Sequence, residues 1–376
     1  MSRPSVKIVH VIDDLGLGGA QRQLVELLSG LDRRRFDVSV IALSDAKVAY
    51  ADAIRGLGIP LTLIPHAGAW SWATLTRLTQ TLRSLRPRIV QTWLFTADLY
   101  GRLAAMRGGA ERIISTVRSV EPDKPWQYVL VDRVLRRWTH RFIVNAEAVG
   151  RMLAVREGVP RDRIELIYNG VDLERWHPAH EDGVVRRALG LLDEHPLIGI
   201  VGRLAPVKDH ETFLRAAALV VREVPKAQCV IIGDGPLRRA LEELCCGLQL
   251  ESRVHFLGAQ ARMEQVYAAL DVIVVSSRYE GCSNVILEAM AMGKPVIATA
   301  VGGNPELLTP RTGMLVPPGD AQRLAQAIIT LLRDAAGARA WGAAARRDAE
   351  ARFSLARMIE ATQRCYESLL STDAQS

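Results

Sequence analysis

The sequence predicts an α/β protein with two Rossmann-like domains, each built on a parallel sheet. Three observations predict it. Short apolar, β-branched runs alternate with longer helical patterns, as βαβ units require. The runs lack polar alternation, so they fit strands buried on both faces. A chain of 376 residues is also long for one core and comfortable for two.

The first set of strands is expected at Lys7–Ile12, Val38–Leu43, Leu61–Ile64, Ile89–Trp93, Arg112–Thr116, Phe142–Val144 and Glu165–Ile167. The second is expected at Leu197–Val201, Cys229–Ile232, Val254–Leu257, Val272–Ser276, Val296–Thr299 and Met314–Val316. Between them, helices are expected at Gln21–Leu31, Leu75–Leu85, Arg215–Val224, Leu237–Leu248, Val285–Met292 and Ala321–Leu332. The stretch Val171–Pro196 carries Pro178, Gly183, Pro196 and scattered charge, and reads as a domain connection. The domains are therefore expected at residues 1–175 and 176–353, followed by a last helix over 354–376 with Ser354 as its N-cap.

Composition is that of an ordinary globular protein, 49% hydrophobic and 24% charged, which excludes a disordered or fibrous chain. The five cysteines (Cys229, Cys245, Cys246, Cys282 and Cys365) form no CxxC pair and read as free thiols in a reducing compartment. No export signal is visible, and the longest uncharged stretch, Gly56–Thr76, is broken by Pro60 and Pro65. A cytoplasmic protein is expected. Charge is uneven: up to Asp182 there are 26 Lys/Arg against 20 Asp/Glu, and beyond it 22 against 21. The excess suits an acidic partner, an anionic membrane or a phosphorylated acceptor before a nucleic acid, or is a solvated surface; no nucleic-acid partner is expected.

Gly16-Leu17-Gly18-Gly19-Ala20-Gln21 follows the first strand and opens a helix, where backbone amides can approach an anion. It is not GxGxxG, and no acidic residue ends the second strand, so a dinucleotide site is disfavoured. A tight turn without ligand remains the alternative. Gly202-Arg203 through Lys208 leaves the first strand of the second domain, and its two cations can converge on a diphosphate or lie solvated. Glu280 through Met290 is the sharpest motif. Glu280 lies in a loop, a helix starts near Ser283, and Glu288 sits on that helix. One carboxylate can reach a sugar hydroxyl and the other a ribose, while the helix amides meet phosphate; the alternative is a loop carboxylate and a solvated helix carboxylate. With no HExxH, no DxD-type pair and no His cluster, charge on a leaving diphosphate falls to Arg203, Lys208 and amides instead of a metal.

Taken in order, Gly18-Gly19-Ala20-Gln21, Asn169-Gly170-Val171-Asp172, Gly202-Arg203-Leu204, Glu280–Met290, Gly293-Lys294-Pro295-Val296 and Val301–Glu306 resemble family 4 of the retaining glycosyltransferases, of GT-B fold. The resemblance implies two Rossmann-like domains facing each other across a cleft, the first on the acceptor side, the second binding a nucleotide sugar, with the last helix packing back toward the first. It implies that Arg203 and Lys208 hold the donor diphosphate, that Glu280 contacts the transferred sugar, and that Glu288 contacts the ribose. Amides at Asn284, Val285 and Ile286 would meet the distal phosphate, and Gly18 and Gly19 would close over it. Gly202, Gly233 to Pro236, and Val254 to Gly258 with Leu257 would line the donor pocket. Arg118 stands where many members carry a histidine near the reacting sugar, with Glu121 as an alternative local partner, and Cys282-Ser283 departs from the commoner pair.

The expected activity is retaining transfer of a sugar from a nucleotide-diphosphate sugar to a glycan or lipid-linked acceptor, in cell-surface polysaccharide synthesis, without metal or other cofactor. A GT-B-like epimerase and a catalytically silent nucleotide-sugar-binding protein are the alternatives. A peripheral membrane contact is expected over Trp70–Arg88, where Leu75, Leu78, Leu82 and Leu85 share one helical face among Arg77, Arg83, Arg86 and Arg88. The same stripe is what a helix packed on a sheet must show.

Overall fold

A computed structural model describes residues 5–66, 71–120, 124–180 and 183–371. The chain forms two compact units, one of residues 1–170 with 355–376 and the other of residues 171–354. The divisions fall at Gly170/Val171 and Ser354/Leu355, a few residues from the expected boundaries at 175 and 353.

The first unit runs β1 (Val6–Ile12), α1 (Gly19–Gly30), β2 (Phe36–Ala42), α2 (Ala51–Gly56), β3 (Leu61–Leu63), α3 (Trp72–Leu85), β4 (Ile89–Trp93), α4 (Phe95–Gly108), β5 (Arg112–Val117), α5 (Trp126–Leu135), β6 (Arg141–Val144), α6 (Glu147–Met152) and β7 (Ile164–Leu166). Its seven strands are parallel, in the order β3-β2-β1-β4-β5-β6-β7. The order reverses at β1/β4, which is where open α/β sheets place their ligands.

The second unit runs α7 (Val184–Ala188), β8 (Leu197–Val201), α8 (His210–Glu223), β9 (Gln228–Ile232), α9 (Arg238–Gly247), β10 (Val254–Gly258), α10 (Met263–Ala269), β11 (Val272–Val275), α11 (Asn284–Ala291), β12 (Val296–Thr299), α12 (Asn304–Leu307), β13 (Gly313–Val316), α13 (Ala321–Arg333) and α14 (Ala335–Arg352). Its six parallel strands are ordered β10-β9-β8-β11-β12-β13, with the reversal at β8/β11. The last helix, α15 (Leu355–Ser371), belongs to the first unit.

Burial explains the patterns. Ile8 and Ile12 of β1 face one core with Leu24, Leu27 and Leu28 of α1 and Met358 and Tyr366 of α15. Val9 and Val11, pointing the other way, share a second core with α3 and α4. Helices thus cover both faces of the sheet.

Leu75, Leu78 and Leu82 of α3 are fully buried in that second core. This overturns the expectation that they meet a bilayer. Each contributes about 1.5–3 kcal/mol where it is, which inserting it elsewhere would forfeit. Trp70 lies outside the described residues.

Where the second chain segment joins the first unit, Gly170 is tied to Gln23 by two hydrogen bonds, Gln23 Nε2 donating to its carbonyl (2.8 Å) and Gln23 Oε1 accepting from its amide (2.9 Å). A Cβ at Gly170 would press on the Leu355 backbone at 2.8 Å. The Asn169-Gly170-Val171-Asp172 motif is therefore a joint where the chain passes between units. Four cysteines are buried and Cys246 is exposed, all as free thiols.

Candidate functional site

The second unit brings the sharp motifs together because its strand order reverses at β8/β11. Loops leaving neighbouring strands at such a reversal diverge to opposite faces and leave a crevice between them. The loop after β8 carries Gly202, Arg203 and Lys208, and the loop after β11 carries Glu280. Ser276 fastens the two by donating from Oγ to the carbonyls of Lys208 and Asp209, both at 2.9 Å. Arg278 adds a backbone bond to Val207, 2.8 Å.

Lys208 Nζ donates to Glu280 Oε1 at 2.5 Å, and Ser277 Oγ donates to the same oxygen at 2.7 Å. Sequence reasoning gave Lys208 and Glu280 separate ligands. The fold makes them one ion pair, half-buried, so each sets the charge the other presents. Arg203, by contrast, is exposed, and no hydrogen bond or ion pair of its guanidinium is formed among the described residues. The two cations five residues apart thus differ in kind: one is held by a carboxylate and one is exposed to solvent. Ser276 and Ser277 are functional candidates that sequence reasoning missed; their only signal was position, directly after a strand at the sheet's reversal.

Glycines shape the rest. Gly233 (φ +130°) ends β9, and a Cβ there would overlap the carbonyl oxygen of Gly202. Gly235 lies against Leu204, whose amide bonds the Asp234 carbonyl at 3.0 Å. Gly233 in turn donates to Gly258 at 2.9 Å, next to the half-buried Leu257. Gly302 (φ +52°) sits so close beneath Glu280 that a Cβ would overlap the Glu280 carbonyl oxygen. The loops after β8, β9, β10, β11 and β12 therefore touch backbone to backbone. No side chain fits between them, which explains the glycines.

Asn284 opens α11, preceded by Ser283 in extended geometry and without a side-chain cap. The first-turn amides of Asn284, Val285 and Ile286 make no intrahelical bond and suit an anion. Glu288 is only 3% exposed. A solvated carboxylate is thereby excluded. His210, at the start of α8, is likewise buried; burial together with Lys208 pushes its pKa down to about 4, so it is neutral. Among the described residues, no group of three or more His, Cys, Asp or Glu side chains is placed to hold a metal.

In the first unit, Gly18 is the N-cap of α1, and a Cβ there would overlap the Gln21 carboxamide; Gly19 begins the helix. Gln21 Nε2 donates to Asp14 Oδ1 (2.8 Å), as does the Gly16 amide (2.9 Å), so the glycine turn is held by Asp14. At the β1/β4 reversal, Asp13 accepts from the amides of Thr96 and Ala97 at the start of α4. Burial nevertheless raises the Asp13 pKa to about 6. Leu94, the residue before α4, holds φ +68° and ψ 175°, a region that side chains rarely adopt and that marks functional turns.

Arg118 leaves β5. Its Nη2 donates to Asn169 Oδ1 at 2.5 Å, and its guanidinium lies 5.3 Å from the centre of the Trp93 ring. Glu121 lies outside the described residues. Arg118 also borders a pocket at the exits of β4 and β5, walled by Phe95, Thr116, Tyr128 and Val131. Its floor is an ion-pair cluster: Arg102 with Asp98 (2.6 Å) and Asp132, and Lys124 with Asp132 and Glu157 (3.0 Å).

Comparison with known proteins gives this arrangement its family. Residues 17–175 match the model described as Glycosyltransferase Family 4, and residues 195–334 match that of Glycosyl transferases group 1. A GDP-mannose-dependent alpha-mannosyltransferase of Mycobacterium tuberculosis is 31% identical over 346 residues, 85% of each chain. The chain belongs to glycosyltransferase family 4. A UDP-Gal:alpha-D-GlcNAc-diphosphoundecaprenol alpha-1,3-galactosyltransferase of Escherichia coli is 28% identical over 342 residues, 88% of each chain. The structure of Anabaena HepE in complex with UDP-glucose superposes with a TM-score of 0.86 at 23% identity, covering 96% of this chain and 99% of that one. The fold is thus GT-B, and family membership supports transferase activity over the epimerase and the silent binding protein that the sequence left open. No helix among the described residues is long and apolar enough to cross a membrane.

Proposed function

We propose that this glycosyltransferase moves a sugar, with retention of configuration, from a nucleotide-diphosphate sugar to a glycan or lipid-linked acceptor in cell-surface polysaccharide synthesis. In this reading it works at the cytoplasmic face of a membrane and needs no metal. The observation that carries it is the Lys208–Glu280 ion pair at the reversal of the second sheet, in the unit that also carries the exposed Arg203 and the N-terminus of α11.

The chemistry follows from those groups. A leaving diphosphate gains negative charge as the glycosidic bond breaks. Arg203 is exposed and forked, Lys208 is held by Glu280, and the amides at Asn284 to Ile286 are aligned with the helix dipole; together they stabilise that charge. Glu280 is already engaged by Lys208 and Ser277, so it suits holding a sugar hydroxyl better than taking a proton. The proton of the attacking hydroxyl then passes to a leaving-group oxygen on the same face, which is the route of retention. Glu288, buried on α11, suits the ribose hydroxyls of the nucleoside. Arg118 and its pocket suit the acceptor side. The named donors of the relatives, GDP-mannose, UDP-galactose and UDP-glucose, leave both nucleotides as candidates here.

The test is a screen of UDP- and GDP-sugars for thermal stabilisation and hydrolysis, followed by the anomeric configuration of the product by NMR. Stabilisation by one nucleotide class and an α product from an α donor are expected, with turnover unchanged by EDTA. An inverted product, or activity lost on chelation and restored by Mg²⁺, would overturn the mechanism while leaving the family intact.

A further inference from the structure

Helix α5 is built inside out. Its buried residues are Leu135 and Asp132, the latter a carboxylate that enters the ion-pair cluster with Arg102 and Lys124. Its outward residues are apolar: Trp126 is 71% exposed, Leu130 54%, Val134 45% and, in the turn that continues the helix, Trp138 44%. These four recur every fourth residue, so they drift by about 40° per step and cover roughly a third of the helix surface. Val131 widens the face, and Val155 adds to it from the helical turn Leu153–Glu157, to which α5 is bound by two bonds from Arg133 to the Arg156 carbonyl, 2.7 and 3.0 Å. A water-facing helix normally turns its apolar stripe inward and its charges outward. Contiguous exposed apolar surface of this kind marks an interaction site.

The surrounding charge says what covers it. From Lys124 to Arg163 the sequence holds nine basic and four acidic residues. Two of the four acids, Asp132 and Glu157, are buried in ion pairs. The outward rim of the apolar face is therefore cationic, with Arg133 and Arg137 exposed on α5 and its turn. A second copy of the same face would bring like charges together across a twofold axis. An anionic bilayer offers apolar chains to the stripe and negative headgroups to the rim, and tryptophans at both ends of a helix sit well at the headgroup boundary.

We propose that α5 and the adjoining Val155 form the membrane-docking face of the protein, lying in the interface plane of an anionic leaflet. This rests on the peripheral placement proposed above and moves it from α3, whose leucines are in the core. It also places the pocket bordered by Tyr128 and Val131, on the same helix, next to the lipid surface.

The experiment uses the full chain and vesicles of phosphatidylcholine alone or mixed with phosphatidylglycerol. Co-sedimentation is expected with the anionic vesicles only, and should weaken as salt shortens the screening length. In the variant Trp126→Ser/Leu130→Ser/Val134→Ser the partition coefficient should fall roughly tenfold or more, since apolar area is lost from the contact. All three side chains are exposed, so thermal unfolding should not shift. Leu78→Ser serves as the contrasting variant: it should lower thermal stability without a specific loss of lipid binding at temperatures where it stays folded. Wild-type protein that binds neither vesicle at low salt would overturn the proposal. So would binding that the triple variant retains, or a wild-type dimer that the triple variant dissociates. The assay needs no donor or acceptor, so failure here is distinct from failure to transfer a sugar.

Discussion

Lys208 and Glu280 are 72 residues apart in the chain, yet Lys208 Nζ lies 2.5 Å from Glu280 Oε1. The contact exists because β8 and β11 are neighbours in the sheet, so the loops leaving them start side by side before they diverge. The pair lets one cation serve two purposes, holding Glu280 in place and meeting phosphate charge.

Lys208→Ala removes that cation and frees Glu280. Losing one charge-stabilising contact costs roughly 10²–10³ in rate. Glu280→Gln should cost a similar factor, and the double variant little more than the worse single one, because the two residues act as a unit. Turnover at saturating donor checks it. A Lys208→Ala protein with wild-type turnover would remove the diphosphate assignment, and strictly multiplicative losses would remove the coupling.

Gly302→Ala should harm the same site from below. The residue holds φ +52°, and an added Cβ would overlap the Glu280 carbonyl oxygen. The Glu280 loop must then shift. A destabilisation of about 1–3 kcal/mol is expected from backbone strain alone, with weakened binding of nucleoside diphosphate. Calorimetric titration with UDP and GDP measures the second effect. Unchanged affinity for whichever nucleotide the wild type binds would mean that the loop relaxes without moving Glu280.

His10 predicts how the first unit answers to acid. It is fully buried, accepts a hydrogen bond from Trp93 Nε1 at 3.1 Å, and burial holds its pKa down at about 3. In the unfolded chain it titrates near 6.5. Stability is therefore intact above pH 6.5 and lost as pH falls toward 3, because the unfolded chain takes up a proton that the folded one refuses. The full effect is up to roughly 5 kcal/mol. Asp13 acts with the opposite sign: its pKa is raised from 3.8 to about 6, so its contribution is present below 3.8 and lost as pH rises through 6. Urea unfolding of wild type and His10→Gln across this range isolates His10. The variant should show the shallower loss on acidification, and equal slopes would mean that His10 titrates normally in the fold.

The strands were legible because a strand buried on both faces favours an apolar run without alternation, as in β11, Val272–Val275. The loops that carry the site were legible as glycine and charge at strand exits. What escaped were relations set by tertiary placement. Nothing in the sequence joins Lys208 to Glu280, or announces that Glu288 is buried, since α11 is apolar nearly all round. Helices α4 and α5 fell outside the expected set for a related reason. Arg102 is 2% exposed on α4 and Asp132 7% exposed on α5, and the two form a buried ion pair, so both helices break the rule that charge faces water. The α3 leucines misled in the opposite way: a stripe seeking the core and a stripe seeking a membrane are written alike.

Tyr366 tests whether α15 is part of the first unit's core or a cover over it. The helix follows the second unit in sequence but packs Met358, Ile359, Cys365, Tyr366 and Leu369 among the residues of β1, β2 and α1. Tyr366 is fully buried, meets Phe36 edge-on at 5.6 Å between ring centres, and its hydroxyl donates to Gln91 Oε1 on β4 at 2.5 Å. Gln91 passes the contact on by donating to Thr116 on β5, 2.8 Å. Tyr366→Phe keeps the ring and leaves one buried acceptor unpaired, so it should cost about 1–3 kcal/mol. Tyr366→Ala also opens a cavity in the core and should cost at least about 3–5 kcal/mol. A chain truncated before Leu355 should then fail to fold its first unit while the second still shows a cooperative transition. Denaturant unfolding followed by tryptophan fluorescence separates the two, because Trp93 reports the first unit and Trp176 the second, each observed in a variant lacking the other tryptophans. If truncation left the Trp93 transition in place, α15 would be an accessory helix, and the joint at Gly170 would need another reason for the glycine that Leu355 now explains.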